Sequence, residues 1–527
     1  MRNDSIGLFW EDLPTVRVKK EKPPKRQPPA KTWLEPDYLP ELHDAIRFNI
    51  PVFTDEELLQ ACTNKERLVF DIECYPNYFI ASFRSVVSGK AVFFEMDEYK
   101  QLNIPKLQWV LSNFTTVGFN SLGYDIPITL LALSGYNNAV LKQATDAIIV
   151  WEERHWQVLK RYKINNYSFD HIDLIEPAPL TASLKIYGGR LHTTKMQDLP
   201  FDPNTILTEQ QKAIVKWYNI NADLTSTAFL HECLKKQIEL RYTLSNENGI
   251  DLRSKSDAQI AEAIIGKQYF ELTGQRARKP LFETGYGFKY SIPHFISFKT
   301  DILNHALNVI RETVFVTSDS GKISMPESIS KLRLAVNNTT YKFGMGGLHS
   351  NEKKSTHYSG NGFKLIDKDV TSYYPFLILN QGLYPAHLGP VFLQIFSNIV
   401  WRRVDAKKLK DKVVANALKI VINGTFGKLG DIFSIIYSPN LLIQVTLTGQ
   451  LCLLMLIERL ELAGIEIVSA NTDGIVIKVH ETQEDLMESI IKQWEIDTNF
   501  QTEGTEYKSL HSRDVNTVSY THLTLPT

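Results

Sequence analysis

Residues 470–477 read ANTDGIVI, a run of strand-forming residues that carries one carboxylate, Asp473. Apolar runs bounded by turn residues make buried strands, and a lone carboxylate on such a strand is costly unless a charge sits beside it. The segment holds no second acid, because position 471 is Asn. Whatever Asp473 faces must therefore come from a part of the chain remote in sequence.

KLIDKDVTSYYPFLILN, residues 364–380, is a second strand-then-turn segment and offers Asp369. Alone, Asp369 reads equally as a turn or helix-cap aspartate. Between the two segments lies DAKKLKDKVVANALKIVIN, residues 405–423, which reads as one continuous helix. At 100° per residue, Lys408, Lys412, Lys419 and Asn423 fall within about 60° of one another, with Val414, Ala417, Leu418 and Val421 behind them. Such a cationic stripe suits a phosphate chain. The wider basic cluster RRVDAKKLKDK (402–412), taken by itself, reads as a solvated face.

A second carboxylate set lies upstream. In LVFDIECYPNYFI, residues 68–80, strand alternation puts Asp71 and Glu73 on one side, two residues apart. Like charges that close need a divalent cation or a proton between them. A solvent-facing edge strand is the plainer alternative, but the flanking LVF and YFI imply burial. VGFNSLGYDIPIT (117–129) adds Asn120 and Asp125, and VKWYNINADLTSTAFL (215–230), read as a helix, adds Tyr218 and Asp223. Four acids converging on two metal ions are the machinery of phosphodiester hydrolysis.

The first set resembles the proofreading 3′–5′ exonucleases of ribonuclease-H-like fold that are joined to family B DNA polymerases. Asp71 and Glu73 match the first motif, Asp125 the second, and Asp223 with Tyr218 the third. In the family the tyrosine precedes the aspartate by three intervening residues; YNINAD has four. The second set resembles the polymerase itself. Asp369, Ser372, Tyr373, Tyr374 and Pro375 match motif A, with Tyr373 for the usual Leu. Lys419, Asn423, Phe426 and Gly427 match motif B, with Gly424 for Ser. Asp473 takes the second aspartate of motif C, and Asn471 stands where the first would be. FGMGGLHS (343–350) is similar to the Y-x-G-G loop that contacts template, which puts Gly346 and Gly347 near DNA; a plain tight turn explains them almost as well. The quoted segments SLKIYGGRLH and MQDLP look like the phage branch of the family.

The resemblance implies an α/β and α+β multidomain chain. A ribonuclease-H-like exonuclease (46–240) follows an N-terminal extension and basic, proline-rich linker (1–45). A connecting helical region with the inter-domain loop spans 241–350. The palm, an antiparallel sheet, spans 351–390 and 431–500, interrupted by short helical fingers (391–430), and a thumb starts at 501–527. It further implies two Mg²⁺ or Mn²⁺ ions per active site, held by Asp71, Glu73, Asp125 and Asp223 in one and by Asp369 and Asp473 in the other. Ser372, Tyr373, Tyr374, Lys419, Asn423, Lys408 and Lys412 would meet the nucleotide, with Tyr374 leaving no room for a 2′-hydroxyl. Asn120, Gly346, Gly347 and Gly427 would meet DNA. Expected partners are primer-template DNA and deoxynucleoside triphosphates, with replication accessory proteins open. A monomer is expected, in the cytoplasm of a bacterial host if the gene is a phage's. Priming by a nucleic-acid 3′ end is expected from the short fingers.

Bulk features agree with a soluble chain. A length of 527 residues, 43% hydrophobic and 22% charged, implies several globular domains. Cys62, Cys74, Cys233 and Cys452 have no C-x-x-C spacing and suggest neither disulfides nor zinc. LCLLMLIERLELAG is broken by Glu458 and Arg459 and reads as a core helix rather than a membrane span. No signal-peptide pattern opens the chain. Residues 517–527 do not continue the pattern and read as a non-native tail on a truncated thumb, for which weak, distributive DNA binding is expected. Two other functions remain: an exonuclease whose palm binds DNA but is inactive, and a non-catalytic primer-template-binding protein.

Overall fold

A computed structural model describes residues 49–164, 169–180, 182–193, 199, 201–281, 285–351 and 355–511, with backbone alone for 512 and 518–520. The extension and linker expected at 1–45 lie outside the described residues, as does the tail apart from that short backbone piece. The chain divides into two compact units, one of residues 1–170 with 183–229 and one of 171–182 with 230–527. Both mix helices with sheets.

In the first unit, strands β1 (Leu68–Tyr75), β2 (Tyr78–Ser85), β3 (Ala91–Met96) and β4 (Thr116–Gly118) lie in the order β3-β2-β1-β4. The first three are antiparallel neighbours, and β4 runs parallel to β1. Its helices include α1 (Asp55–Thr63), α2 (Ile104–Asn113), α3 (Asp125–Leu133), α4 (Asn138–Ile149) and α5 (Glu209–Tyr218). Capping boxes start two of them, Thr54 with Glu57 on α1 and Thr208 with Gln211 on α5. Period-two alternation sorts β1 cleanly. Phe70, Ile72 and Cys74 enter a core shared with α1 to α4, where Phe70 stacks on Phe83 at 4.8 Å. Tyr75, with Tyr78 and Ile80 of β2, packs instead on Val215 of α5. Asp71 and Glu73 share that second face, so they point toward the helix whose continuation carries Asp223.

The second unit is built on a seven-stranded sheet, antiparallel at every pairing. Its strands are β5 (Leu334–Val336), β6 (Thr339–Phe343), β7 (Leu348–Ser350), β8 (Phe363–Val370), β9 (Glu466–Asn471), β10 (Gly474–His480) and β11 (Thr502–Tyr507). The spatial order is β11-β8-β10-β9-β7-β6-β5. Around it lie α6 (Lys235–Asn248), α7 (Asp257–Thr273), α8 (Tyr373–Asn380), α9 (Val391–Lys408), α10 (Lys412–Lys428), α11 (Pro439–Leu462) and α12 (Glu484–Thr498).

The long apolar helix α11 is the centre of this unit's core, with 83% of its most apolar window buried in protein. Leu447, Leu451 and Leu454 are fully covered, and each such side chain contributes about 1.5–3 kcal/mol by leaving water. Glu458 on this helix is buried too, and accepts hydrogen bonds from the amides of Lys299 and Thr300 and from the Thr300 hydroxyl. That cradle makes a carboxylate tolerable inside the core.

The single helix expected over 405–423 is two helices. Lys410 takes a left-handed φ of +58°, and the Asp411 carboxylate accepts from the amides of Val413 and Val414, capping a new helix. The helices α9 and α10 therefore fold back as a hairpin that rises from the sheet between β8 and β9. Gly424, where motif B carries Ser, has a packing reason. A Cβ there would stand 2.4 Å from the Asp257 carbonyl oxygen and 2.9 Å from Ala261 Cβ, so α7 and α10 touch at backbone distance.

Candidate active sites

In the first unit, Asp71, Glu73 and Asp223 bring ligand oxygens within 4.8 Å of one another. Among the described residues this is the one group of three or more acids, histidines or cysteines so gathered. Asp125, the first residue of α3 and 4% exposed, accepts a hydrogen bond from the Ile72 amide on β1 at 3.1 Å. Its charge is felt at both Asp71 and Glu73. The extra residue of YNINAD is absorbed by a π-helical turn, Asn219–Asp223, in which the Leu224 amide reaches back five residues to the Asn219 carbonyl. Asp223 therefore arrives at β1 despite the longer spacing.

Tyr218 immediately precedes this turn. Its ring is buried with Ile214, Trp217 and Ala222. Asn219 reaches the acids, its Nδ2 donating to Asp71 Oδ2 at 2.6 Å. Asn219 is fully buried, and its Oδ1 has no hydrogen-bond partner among the described residues. The sequence signal for it was faint, an amide next to a motif tyrosine. Asn120 is exposed, in a left-handed turn at φ +57° before α3.

Burial, and then the charges of Asp125, Asp223 and Glu73, pushes the Asp71 carboxyl well above its usual range. Glu73 is pushed up to about 8 by burial and then by Asp223 and Asp125, against the weaker pull of Lys185 and Asn219. An all-oxygen donor set that cannot shed its protons alone fits a hard divalent cation such as Mg²⁺ or Mn²⁺. The linkage has a definite sign. A carboxyl that binds its proton more tightly when folded adds stability that is complete below its ordinary value of 4.5 and lost as pH rises through about 8. Protection of β1 amides from hydrogen exchange should therefore gain more from added Mn²⁺ at pH 9 than at pH 6, against a chelator control at each pH. A gain that is equal, or larger at pH 6, would count against cation binding here.

In the second unit the register brings the two motif aspartates together. Asp369 on β8 lies opposite Gly474 of β10, and the Val370 amide donates to the Asp473 carbonyl at 2.8 Å. Both carboxylates border a cavity of about 610 Å³, with Tyr374, Lys419, Asn423 and Phe426 in its walls. Asp369 is pushed up to about 6 by burial and then by Asp367, Asp473 and Glu503. Burial raises Asp473 as well, with Lys419 pulling the other way. Asp369 thus sits in the field of Asp473, which in turn feels Lys419.

Glycine makes this approach possible. A Cβ on Gly474 would stand 2.0 Å from Asp369 Oδ1, so no side chain fits there while the carboxylate keeps its place. Thr472 in the same turn holds φ +54°, unusual for a β-branched residue and worth about 1–3 kcal/mol of strain. Gly347 presses on it, with a Cβ position 2.8 Å from Thr472 Cα at φ +148°. If this cavity joins deoxynucleotides to a primer, Gly474→Ala should fold, yet lower that incorporation about 100-fold by displacing Asp369. Single-turnover primer extension checks this, and an unimpaired variant would mean that Asp369 need not stand where it does.

Ser372, Tyr373 and Tyr374 line the same cavity, whereas Lys408 and Lys412 do not. Tyr374 lies flat on Phe426, with centroids 4.5 Å apart, and its hydroxyl donates to the Gly346 carbonyl, so Gly346 reaches the site through its backbone. Tyr373 is 3% exposed and belongs to the core, its hydroxyl donating to the Gly449 carbonyl. Ser372 is left-handed at φ +49° and accepts from Arg403 at 2.7 Å. A Cβ on Gly427 would meet nothing within 4 Å. The break at Lys410 takes Lys408 off the helix that carries Lys419, and Lys412, at the start of that helix, borders another hollow. Lys408 borders a different hollow, beside Trp401, and pairs with Asp405 at 3.8 Å. Asn471 is exposed, its Oδ1 accepting from the Thr472 hydroxyl.

The cations that do line the cavity with Lys419 are Arg403 and Lys407 of α9. Arg403 Nε is buried and, among the described residues, has no hydrogen-bond partner. The i, i+4 spacing of these two was legible, but only once the helix is known to end at Lys408. Glu503, across β8 from Asp369, supplies a third carboxylate and lies 3.7 Å from Lys407. In TEGTEY it looks like an ordinary exposed-strand acid. The oxygens of Asp369, Asp473 and Glu503 are again the donor chemistry of Mg²⁺ or Mn²⁺.

A scan against protein-family models finds no match, and neither does a search of curated proteins. Among solved structures, the chain is similar to the family B DNA polymerase of the hyperthermophilic archaeon Pyrobaculum calidifontis, at 15% identity and a TM-score of 0.43. The match covers 85% of this chain and 57% of that one, so the chain spans little more than half the length of the protein it resembles.

Proposed function

We propose that this protein is a template-directed DNA polymerase carrying its own 3′–5′ exonuclease, with one chemistry in each unit. The observation that carries this reading is the hairpin tip at Asp473. There, two acids on adjacent strands share a 610 Å³ cavity with Lys419, Arg403 and Lys407. Acids on one wall and cations on another suit a primer 3′-hydroxyl meeting a nucleoside triphosphate.

The residues divide the work. Asp369 and Asp473 would hold the divalent cations, with Glu503 adding negative charge that Asn471 lacks. Bound there, Mg²⁺ or Mn²⁺ would lower the pKa of the attacking hydroxyl and neutralise the leaving pyrophosphate. Lys419, Arg403 and Lys407 would bind the triphosphate, Arg403 through its fork of donors. Tyr374, pinned by Phe426 and Gly346, would form the wall beside the sugar. In the first unit Asp71, Glu73, Asp125 and Asp223 would hold cations for hydrolysis of a 3′-terminal phosphodiester, and Asn219 would orient Asp71. Placement in the replication of a phage, in a bacterial cytoplasm, as a monomer with or without accessory proteins, is part of the proposal and rests on the motif resemblance alone.

The second reading, a nuclease whose palm only binds DNA, is favoured by one observation, the neutral and exposed Asn471. A primed template with Mg²⁺ separates the two. With all four deoxynucleotides the primer should lengthen, and without them it should shorten from its 3′ end. Shortening in both conditions would establish the nuclease alone.

A further inference from the structure

A second hollow, of about 630 Å³, lies between α6 and the outer half of α10. Lys236, Lys412 and Lys419 stand along it, and Leu240 and Ile420 are also in its lining. Glu239 is the one acid in its lining, and among the described residues none of the three lysines has an ion pair. Lys419 borders this groove and the catalytic cavity alike. The groove is thus a cationic extension of that cavity, with apolar surface between the charges.

From this continuity we propose that the groove carries the unpaired template strand ahead of the primer end, held by its sugar-phosphate backbone. The proposal rests on the polymerase reading above. Phosphates that follow one another along a strand would meet the three lysines in turn, and one molecule running through both hollows uses Lys419 once. Two separate triphosphates would compete for it. No aromatic ring lines the groove, so it lacks a base-stacking platform, and the contact is blind to sequence.

The test uses the full chain and two primer-templates with the same duplex, one with a single unpaired template nucleotide and one with eight. Binding is read by fluorescence anisotropy in chelator, without nucleotides, so that neither chemistry runs. The wild type should bind the long overhang roughly 10-fold more tightly, with a steeper salt dependence. Lys236→Gln with Lys412→Gln should remove that advantage and leave the short-overhang affinity as a check on folding. A variant that keeps the full advantage overturns the assignment, as does one that loses affinity equally for both DNAs. If the wild type binds both DNAs equally, the groove assignment alone falls; if it binds neither, the polymerase reading falls with it.

Discussion

Asp369→Ala, and separately Asp473→Ala, should lower deoxynucleotide incorporation by at least about 1,000-fold, because each removes a cation ligand whose charge stabilisation is worth several kcal/mol at the transition state. The nearest other acid on β8 cannot step in. Asp367 is half-buried and engaged by the Tyr507 hydroxyl. Glu503 approaches from the opposite neighbour strand and is already within 3.7 Å of Lys407. The charge of Asp473 also helps raise the proton affinity of Asp369, so removing Asp473 relaxes that shift rather than preserving the site. The check is single-turnover primer extension with matched controls for thermal stability. Degradation from the 3′ end should stay within about twofold, since each effect of that kind should be confined to the unit that holds the residue. A variant that kept a tenth of wild-type incorporation would remove Asp369 or Asp473 from the chemistry.

The reverse pattern is expected for Asp71→Ala and Asp223→Ala. Each opens a cluster whose oxygens lie within 4.8 Å of one another, and 3′-end degradation should fall by about 1,000-fold or more for the same several-kcal/mol reason. The two substitutions should differ in what they do to the rest of the cluster. Without Asp71, the Asn219 amide loses its acceptor and becomes a buried, unsatisfied donor, a penalty of about 1–3 kcal/mol in stability. Without Asp223, the charge pressing on both Asp71 and Glu73 is relieved, so that variant should melt no lower than wild type in chelator. Primer shortening without nucleotides, paired with thermal melts, tests both statements. Incorporation abolished by Asp71→Ala would contradict the assignment of two independent centres.

Much of the arrangement was readable in the chain. The meeting of the two strands bearing Asp369 and Asp473 was implied only by the resemblance. The strands themselves, and the alternation that puts Asp71 beside Glu73, follow from short-range patterns. So does the burial of the helix that carries Glu458, although nothing in LCLLMLIERLELAG announces the amides of Lys299 and Thr300 that cradle that carboxylate. The reading failed at the helix break. DAKKLKDKV has no glycine or proline, and Asp411 looks like one more surface charge until its carboxylate is seen capping Val413 and Val414. That one turn takes Lys408 out of the stripe, and the helix it ends brings Arg403 and Lys407 to the cavity.

By itself, then, the amino-acid sequence determined which residues are strands with acids at their tips and in what order they come, because alternation and apolar runs act over a few neighbouring residues. Only tertiary structure decided which partners complete each centre: Asn219 through a π-helical turn, Glu503 through strand pairing, Arg403 through a helical hairpin, and Gly474 through the carboxylate it must admit. Those choices depend on groups far apart in the chain meeting at hydrogen-bond distance, and no local pattern encodes such a meeting.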